Sequence, residues 1–265
     1  MQKLPVIAAF VHSIESTIGN IRFAFHASWL WMLLLLPLNI AGNIYILSFG
    51  VLDPQNVPWQ VSMTSLVMGL CAMLAFASIA VNWHRYILRD EVPLGMQRLR
   101  LDNLVMNYFG NTLLIGLMLV LVSIAFFIPI GFLMWMFSTF SAVAVVFGGI
   151  AGFIAFIFVL GLSVRWSLKL VAVAMGRSDV RISDAWRKTI GNHWQIAGLV
   201  VLVFTSLLVV ALVFAGVTYG FGRAESAVAL SALIFIQMAV NWLATIWNVT
   251  LLTSLYGYFF EDRKF

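Results

Sequence analysis

The chain has 265 residues, of which 63% are hydrophobic and 9% are charged, and its formal net charge is +5. Soluble domains carry about 25% charged residues, so a chain this apolar is expected to be solvated by lipid and not by water. Its one cysteine, Cys71, excludes a disulfide within the chain and argues against a Cys/His metal site. The composition predicts a single transmembrane domain over residues 1–265.

Residues 4–18 form the first predicted element, an amphipathic helix that is too short and too polar to cross a bilayer. Its apolar residues at helical spacing are Ile7, Phe10, Val11, Ile14 and Ile18. Gly19-Asn20 suits the C-terminal break of this helix. Two spans follow, roughly at residues 29–49 and 61–83. They are joined by the turn Asp53-Pro54-Gln55-Asn56, which contains no Lys or Arg.

A charged stretch after the second span predicts a second surface helix, which ends at Gly110-Asn111. Its apolar stripe consists of Leu94, Leu101, Leu104, Val105 and Tyr108. The third and fourth spans follow, roughly at residues 113–136 and 143–164. The turn between them is Phe137-Ser138-Thr139-Phe140, which carries no charge.

The third surface helix has the clearest pattern. Its apolar residues recur at steps of four, as Ile182, Trp186, Ile190 and Trp194, and Ser183 is its predicted N-cap. A fifth span at about residues 196–217 and a sixth at about 228–252 complete the chain. The predicted fold is therefore all-α and polytopic, with six transmembrane helices in three hairpins, each preceded by an interfacial amphipathic helix.

A short motif recurs at the end of each amphipathic segment. Thr17-Ile18-Gly19-Asn20 returns as Thr189-Ile190-Gly191-Asn192 and, more loosely, as Tyr108-Phe109-Gly110-Asn111. Coincidence is the alternative, because Gly-Asn also occurs at positions 42 and 43, outside the pattern. A true repeat predicts parallel units related by an axis along the membrane normal, with the boundaries 1–89, 90–176 and 177–265.

Basic residues fall almost entirely on one side of the predicted membrane. Fourteen of the 15 Lys and Arg residues are on that side, and only Arg223 is opposite. Since cytoplasmic loops carry the excess of Lys and Arg, both termini are predicted to be cytoplasmic. The positive charge is thus an orientation signal and does not indicate nucleic acid.

Two sets of polar residues are candidate sites. The first is an intramembrane stripe, made of Asn39, Asn43, Gln237, Asn241, Thr245 and Asn248. An amide in hydrocarbon needs a partner, so the stripe is interpreted first as interhelical contact worth about 0.6–2 kcal/mol per bond. The alternative is a polar path or a site for a lipid headgroup.

The second set lies beside the predicted surface helices and consists of Arg85, Arg89, Arg98, Arg100, Arg187 and Lys188. Anionic lipid attracts each nearby cation by about 1 kcal/mol, so these residues are candidate contacts for anionic phospholipid or for the acidic face of a partner. Orientation of the chain alone is the alternative. In the fourth span, Gly148 and Gly152 form a Gly-x-x-x-Gly that favours close helix packing.

Catalytic motifs do not appear in the chain: no His/Glu metal spacing, nucleophile elbow or P-loop is present. The sequence therefore predicts a non-enzymatic protein without a cofactor. Its predicted partners are membrane lipids, above all anionic phospholipid, and a protein partner or a second copy in the membrane.

Two stretches carry a family resemblance, Asn82-Trp83-His84-Arg85-Tyr86 and Val164-Arg165-Trp166-Ser167-Leu168 leading to Ala185-Trp186. With the amphipathic start, they resemble bacterial inner-membrane proteins that include the membrane domain of some glycerophosphoryl diester phosphodiesterases and the YciC-like proteins. The resemblance implies a helical protein of the bacterial inner membrane and transfers no catalytic residue.

Taken together, these features favour a scaffold or accessory subunit of a membrane complex, or an organiser of lipid. The alternative is a transporter or channel for a lipid or a small neutral solute, which the amides of the first and sixth spans would line.

Overall fold

A computed structural model describes residues 3–50, 56–137, 142–177, 179–222 and 227–265 of the protein. All regular structure within these ranges is helical. The α-helices are α1 (Val6–Gly19), α2 (Ile21–Leu47), α3 (Trp59–Arg89), α4 (Asn103–Phe137), α5 (Ala142–Ala174), α6 (Ile182–Lys188), α7 (His193–Gly222) and α8 (Ala227–Phe260), and a 3₁₀ helix covers Gly95–Leu99.

Six of the helices, α2, α3, α4, α5, α7 and α8, are long and apolar enough to cross a membrane. The protein is an all-α, multi-pass membrane protein, as the sequence predicts. The helices continue through Pro37 and Pro129. The predicted turns at residues 53–55 and 138–140 and the lone opposite cation, Arg223, lie outside the described residues.

The break after the first surface helix is present. Asn20 separates α1 from α2, and its backbone amide donates to the carbonyl oxygen of Ser16. The third break is also present, at the turn that ends in Asn192. There Gly191 has a φ of +82°, a left-handed conformation that glycine adopts without steric cost.

The prediction of a second, separate surface helix is wrong. The predicted stretch instead holds the end of α3, the 3₁₀ helix and the start of α4, because two local features divide it. Asp90 ends α3 in a left-handed conformation, and the Asp102 carboxylate caps α4 by accepting from the backbone amides of Leu104 and Val105, both at 3.1 Å. Helix α4 then runs unbroken through Gly110-Asn111.

The predicted N-cap of the third surface helix is also wrong. Helix α6 begins at Ile182, so Ser183 lies inside it and Arg181 holds the N-cap position. Asp184, at the third position of the helix, accepts from the Arg181 backbone amide at 2.8 Å. The helix ends after seven residues at Lys188, and Trp194 belongs to α7.

One end of the bundle holds most of the buried side chains. There the C-terminal ends of α3, α5 and α8 meet α1 and the N-terminal ends of α4 and α7. We call this packed region the basal core. Its largest fully buried members are Trp83, Tyr108, Tyr256, Leu168, Ile196, Leu199, Ile246, Leu255 and His84. Residues 3–5, the C-terminal residues after α8 and the described parts of both long loops lie at this end.

The remainder of the spans, which we call the far half, packs loosely. Large apolar side chains there are mostly exposed, as Leu121, Ile154 and Val213 are. Close approach occurs where glycine permits it: a Cβ at Gly148 would overlap Met134 of α4, whereas one at Gly152 would meet open space. Only the first glycine of the predicted Gly-x-x-x-Gly therefore packs a helix pair within the chain.

Candidate functional site

The N-terminus is fixed to the turn between α6 and α7. The backbone amide of Leu4 donates to the Asn192 side-chain oxygen at 2.8 Å, in a buried position, and the Lys3 ammonium donates to the Gly191 carbonyl at 2.8 Å. The Tyr258 hydroxyl donates to the Lys3 carbonyl at 2.9 Å. These bonds join the first described residues of the chain to the α6–α7 turn and to helix α8.

A buried polar triad connects three helices in the basal core. His84 Nδ1 lies 2.8 Å from the Thr253 hydroxyl, and His84 Nε2 lies 3.4 Å from the Tyr108 hydroxyl. Because Thr253 donates its proton to the Val249 carbonyl, it accepts from His84, which fixes the proton of the imidazole on Nδ1. Tyr108 then donates to Nε2. This arrangement satisfies its own hydrogen bonds and leaves no group free for a ligand.

Two tryptophans anchor α8 to the first helices. Trp242 donates from its indole nitrogen to the Ser28 hydroxyl, and Trp247 donates to the Ser13 hydroxyl, both at 2.8 Å. These bonds fix the rotation of α8 about its axis, and so they fix the face that α8 turns outwards.

Two of the predicted basic contacts cover the C-terminal end of α5. Arg85 forms two hydrogen bonds to the Glu91 carboxylate, at 2.7 and 2.8 Å, and one to the Ala174 carbonyl at 3.1 Å. Arg89 donates to the Met175 carbonyl at 2.8 Å. Cations are favourable at this end of a helix because its last carbonyls lack helical partners.

The other predicted cations also have neighbours within the chain. Arg100 pairs with Asp102, Arg187 with Asp184 at 2.7 Å, and the Lys188 ammonium lies 5.9 Å from the centre of the Phe260 ring. The backbone amide of Arg181 and, after it, the Arg187 guanidinium hold the pKa of the Asp184 carboxyl below its usual value.

Arg98 differs from these five, because its buried Nε has no hydrogen-bond partner among the described residues. The six cations therefore share one end of the bundle, but five of them interact with the protein itself. Their contact with anionic lipid or a partner stays a prediction.

The predicted polar stripe faces outwards on two helices. Asn39 and Asn43 on α2 donate to carbonyls of their own helix, and Thr245 and Asn248 on α8 do the same. All six residues of the stripe are exposed. These bonds stay within single helices, so among the described contacts the stripe does not join the helices of one chain.

Gln237 and Asn241 stand apart within the stripe. Each lies on the exposed side of α8, one turn from the other, and neither side chain makes a hydrogen bond within the described part of the chain.

No family model, curated protein or solved structure matches this chain. The resemblance to the phosphodiesterase-associated and YciC-like membrane proteins therefore stays a prediction. Across the described ranges, no group of three or more His, Cys, Asp and Glu side chains is arranged to hold a metal ion.

Proposed function

We propose that this protein is a non-enzymatic scaffold of the bacterial inner membrane, acting as an accessory subunit of a membrane complex or as an organiser of lipid. The observation that carries the proposal is the pair of outward-facing amides, Gln237 and Asn241, on α8. Each amide has donors and an acceptor without a partner among the described residues.

An unsatisfied polar group in the hydrocarbon region costs several kcal/mol, because lipid tails offer no hydrogen bonds. The amides cannot rotate into the bundle, since Trp242 and Trp247 hold α8 in place. A span of another protein, or of a second copy, would supply the missing donors and acceptors. The basic end of the bundle supports the same function, because it offers anionic headgroups a cationic surface.

The rival function is a path for a lipid or a small neutral solute along the same amides. The outward direction of the stripe on both α2 and α8 favours contact with other membrane components over a path inside the bundle. A path would also require the amides to face each other across an enclosed space.

Photo-crosslinking in native membranes tests the scaffold function. A photoreactive residue at position 245, which is exposed one turn along the same face as Asn241, is expected to form adducts with a protein of discrete mass. The matched control is position 243, where Leu243 is exposed on the opposite side of the same helix; it should form adducts with lipid only. Lipid adducts alone at both positions would argue against the proposal.

Both termini are proposed to be cytoplasmic, since the basic end holds them. Cysteine labelling tests this orientation in a Cys71→Ser background. A membrane-impermeant maleimide should label Asn56→Cys in intact spheroplasts and Lys264→Cys only after lysis. The reverse labelling would invert the proposed topology.

A further inference from the structure

A groove runs between α5 and α7 along the side of the bundle. Its volume is about 580 Å³, within the range of about 300–1,000 Å³ that is typical of small-molecule sites. The walls are apolar, with Phe153, Ile157 and Phe158 on α5 and Ala197 and Val201 on α7. Phe153 and Phe158 are exposed along its length, so the groove opens sideways towards lipid.

The groove ends at Arg165, a side chain that is only 4% exposed. Arg165 Nη2 lies 2.7 Å from His193 Nδ1, and its guanidinium carbon lies 4.8 Å from the centre of the Trp186 ring. Its Nη1 is buried and has no hydrogen-bond partner in the part of the chain that the structure describes. Two contacts thus position the guanidinium, while one of its nitrogens remains available.

Arg165 is a buried cation without a counter-ion among the described residues. Within the described residues, no carboxylate lies within ion-pair distance of Arg165. The acidic residue on the helix of Trp186, Asp184, is bound by Arg187 and by the Arg181 amide. The next basic residue on the same face of α5 is Lys169, one turn on, which adds positive charge. Burying an unpaired charge is costly, so an anion is expected to complete the site.

We propose that the groove binds one anionic phospholipid, with its phosphate on Arg165 and an acyl chain along the walls of α5 and α7. A phospholipid joins a phosphate to a long apolar chain, which are the two chemistries that this site offers. The planar guanidinium is suited to phosphate oxygens.

Two neighbours of Arg165 support a headgroup at this level. Since arginine only donates, His193 accepts through Nδ1, which leaves its Nε2–H as a second donor. Trp194 borders the groove and is 86% exposed, as expected of an indole at the membrane interface. The proposal requires only that the protein lies in a membrane, so it does not depend on the scaffold function.

Glycines allow the groove to be filled without disturbing the bundle. Gly161 and Gly198 both line it, and a Cβ at either position would meet no atom within 4 Å. Gly161→Leu combined with Gly198→Leu should therefore occupy the groove while the chain folds normally. Gly152→Leu is the matched control, because its Cβ also meets open space but Gly152 does not line the groove.

Native mass spectrometry of the full chain tests the proposal after reconstitution with equal amounts of phosphatidylglycerol and phosphatidylcholine. The protein should retain one phospholipid, enriched in phosphatidylglycerol. The double leucine variant should lose at least about tenfold in retention, and Gly152→Leu should retain lipid like the original chain. Arg165→Gln should abolish the enrichment in phosphatidylglycerol.

Three results would overturn the proposal. The first is equal lipid retention in the double leucine variant and the original chain. The second is displacement by inorganic phosphate with no effect of groove filling, which would indicate a free-anion site. The third is a dimer that Arg165→Gln dissociates, which would indicate that a second copy supplies the anion.

Discussion

The basal core and the far half of this bundle are held together differently. In the basal core, several polar side chains hydrogen-bond from one helix to another, as His84 does with Thr253 and Trp247 with Ser13. In the far half, hydroxyls and amides bond to carbonyls of their own helix, as Thr218 does with Phe214 and Asn43 with Asn39. The first kind of bond specifies which helices are neighbours, and the second does not.

The difference follows from the solvent. Hydrocarbon provides no hydrophobic force between helices, so their association depends on close packing and on interhelical hydrogen bonds. This chain concentrates both at the basal end, where water and headgroups also reach the loops. The far half contributes length and apolar surface, which suffice for crossing the bilayer but not for a unique arrangement.

The largest expected effect is that of Trp83→Ala in the basal core. Trp83 is fully buried and its ring centre lies 5.9 Å from that of Phe23. Removing it should lower the free energy of unfolding by about 3–5 kcal/mol, through lost contacts and a cavity. Denaturation in mild detergent measures this. Trp59→Ala is the control, because Trp59 is exposed in the far half and should change stability little; equal losses would erase the distinction between the regions.

Thr253→Val is expected to lower the free energy of unfolding by a smaller amount than Trp83→Ala. The change leaves the Nδ1–H of His84 buried without an acceptor, which should cost about 1–3 kcal/mol. Adding His84→Leu should cost less than the sum of the two single changes, since the unpaired donor is then gone. The same denaturation measurement, as a double-mutant cycle, gives the coupling. The control is Thr218→Val in the far half, which should change the free energy of unfolding by less than about 0.5 kcal/mol. If the effects of Thr253→Val and His84→Leu were strictly additive, the proposed hydrogen bond would be contradicted.

Asn192→Ala should lower the free energy of unfolding by about 1 kcal/mol. It removes the side-chain acceptor of the Leu4 backbone amide, but the freed terminal segment can turn to water. Hydrogen exchange should therefore accelerate at residues 3–6 more than elsewhere. Asn111→Ala, which removes only a bond to the Asn107 carbonyl of its own helix, is the control. Unchanged protection of the first residues would show that other contacts hold the terminus.

The smallest effect on stability is expected for Gln237→Leu together with Asn241→Leu. Neither amide bonds within the described chain, so the free energy of unfolding of the monomer should stay within about 0.5 kcal/mol. Crosslinking to a partner from a photoreactive residue at position 245 should nevertheless disappear. Unfolding of the double variant would instead place these amides in the internal packing. Lost solute flux with normal assembly would favour the rival transport function.

Hydropathy predicted the spans because it depends only on local composition. Each span is apolar over the length of a bilayer, and that property needs no knowledge of neighbouring helices. The predicted break at Gly110-Asn111 is absent for the opposite reason, because a helix end depends on more than local composition. A motif permits a break, but the Asp102 cap starts α4 before it and the helix has no cause to stop there.

The basal core was not predictable in the same way. Trp83 and His84 look like residues of a membrane interface, and only the packing of α8 and α4 against α3 turns them into core. Arg165 looks like an orientation charge, since nothing local shows that α6 and α7 will enclose it. The one sequence signal for Arg165 was its position directly at the end of an apolar span.

The hydrogen bond between Leu4 and Asn192 has a consequence for biosynthesis. The two residues are 188 positions apart, and the hydroxyl that holds Lys3 comes from Tyr258, which is 255 positions away. When the first hairpin enters the translocon, the ribosome has made neither acceptor nor donor for this segment. The amino-terminal segment therefore cannot make all of these hydrogen bonds until the last helix, α8, has been synthesised.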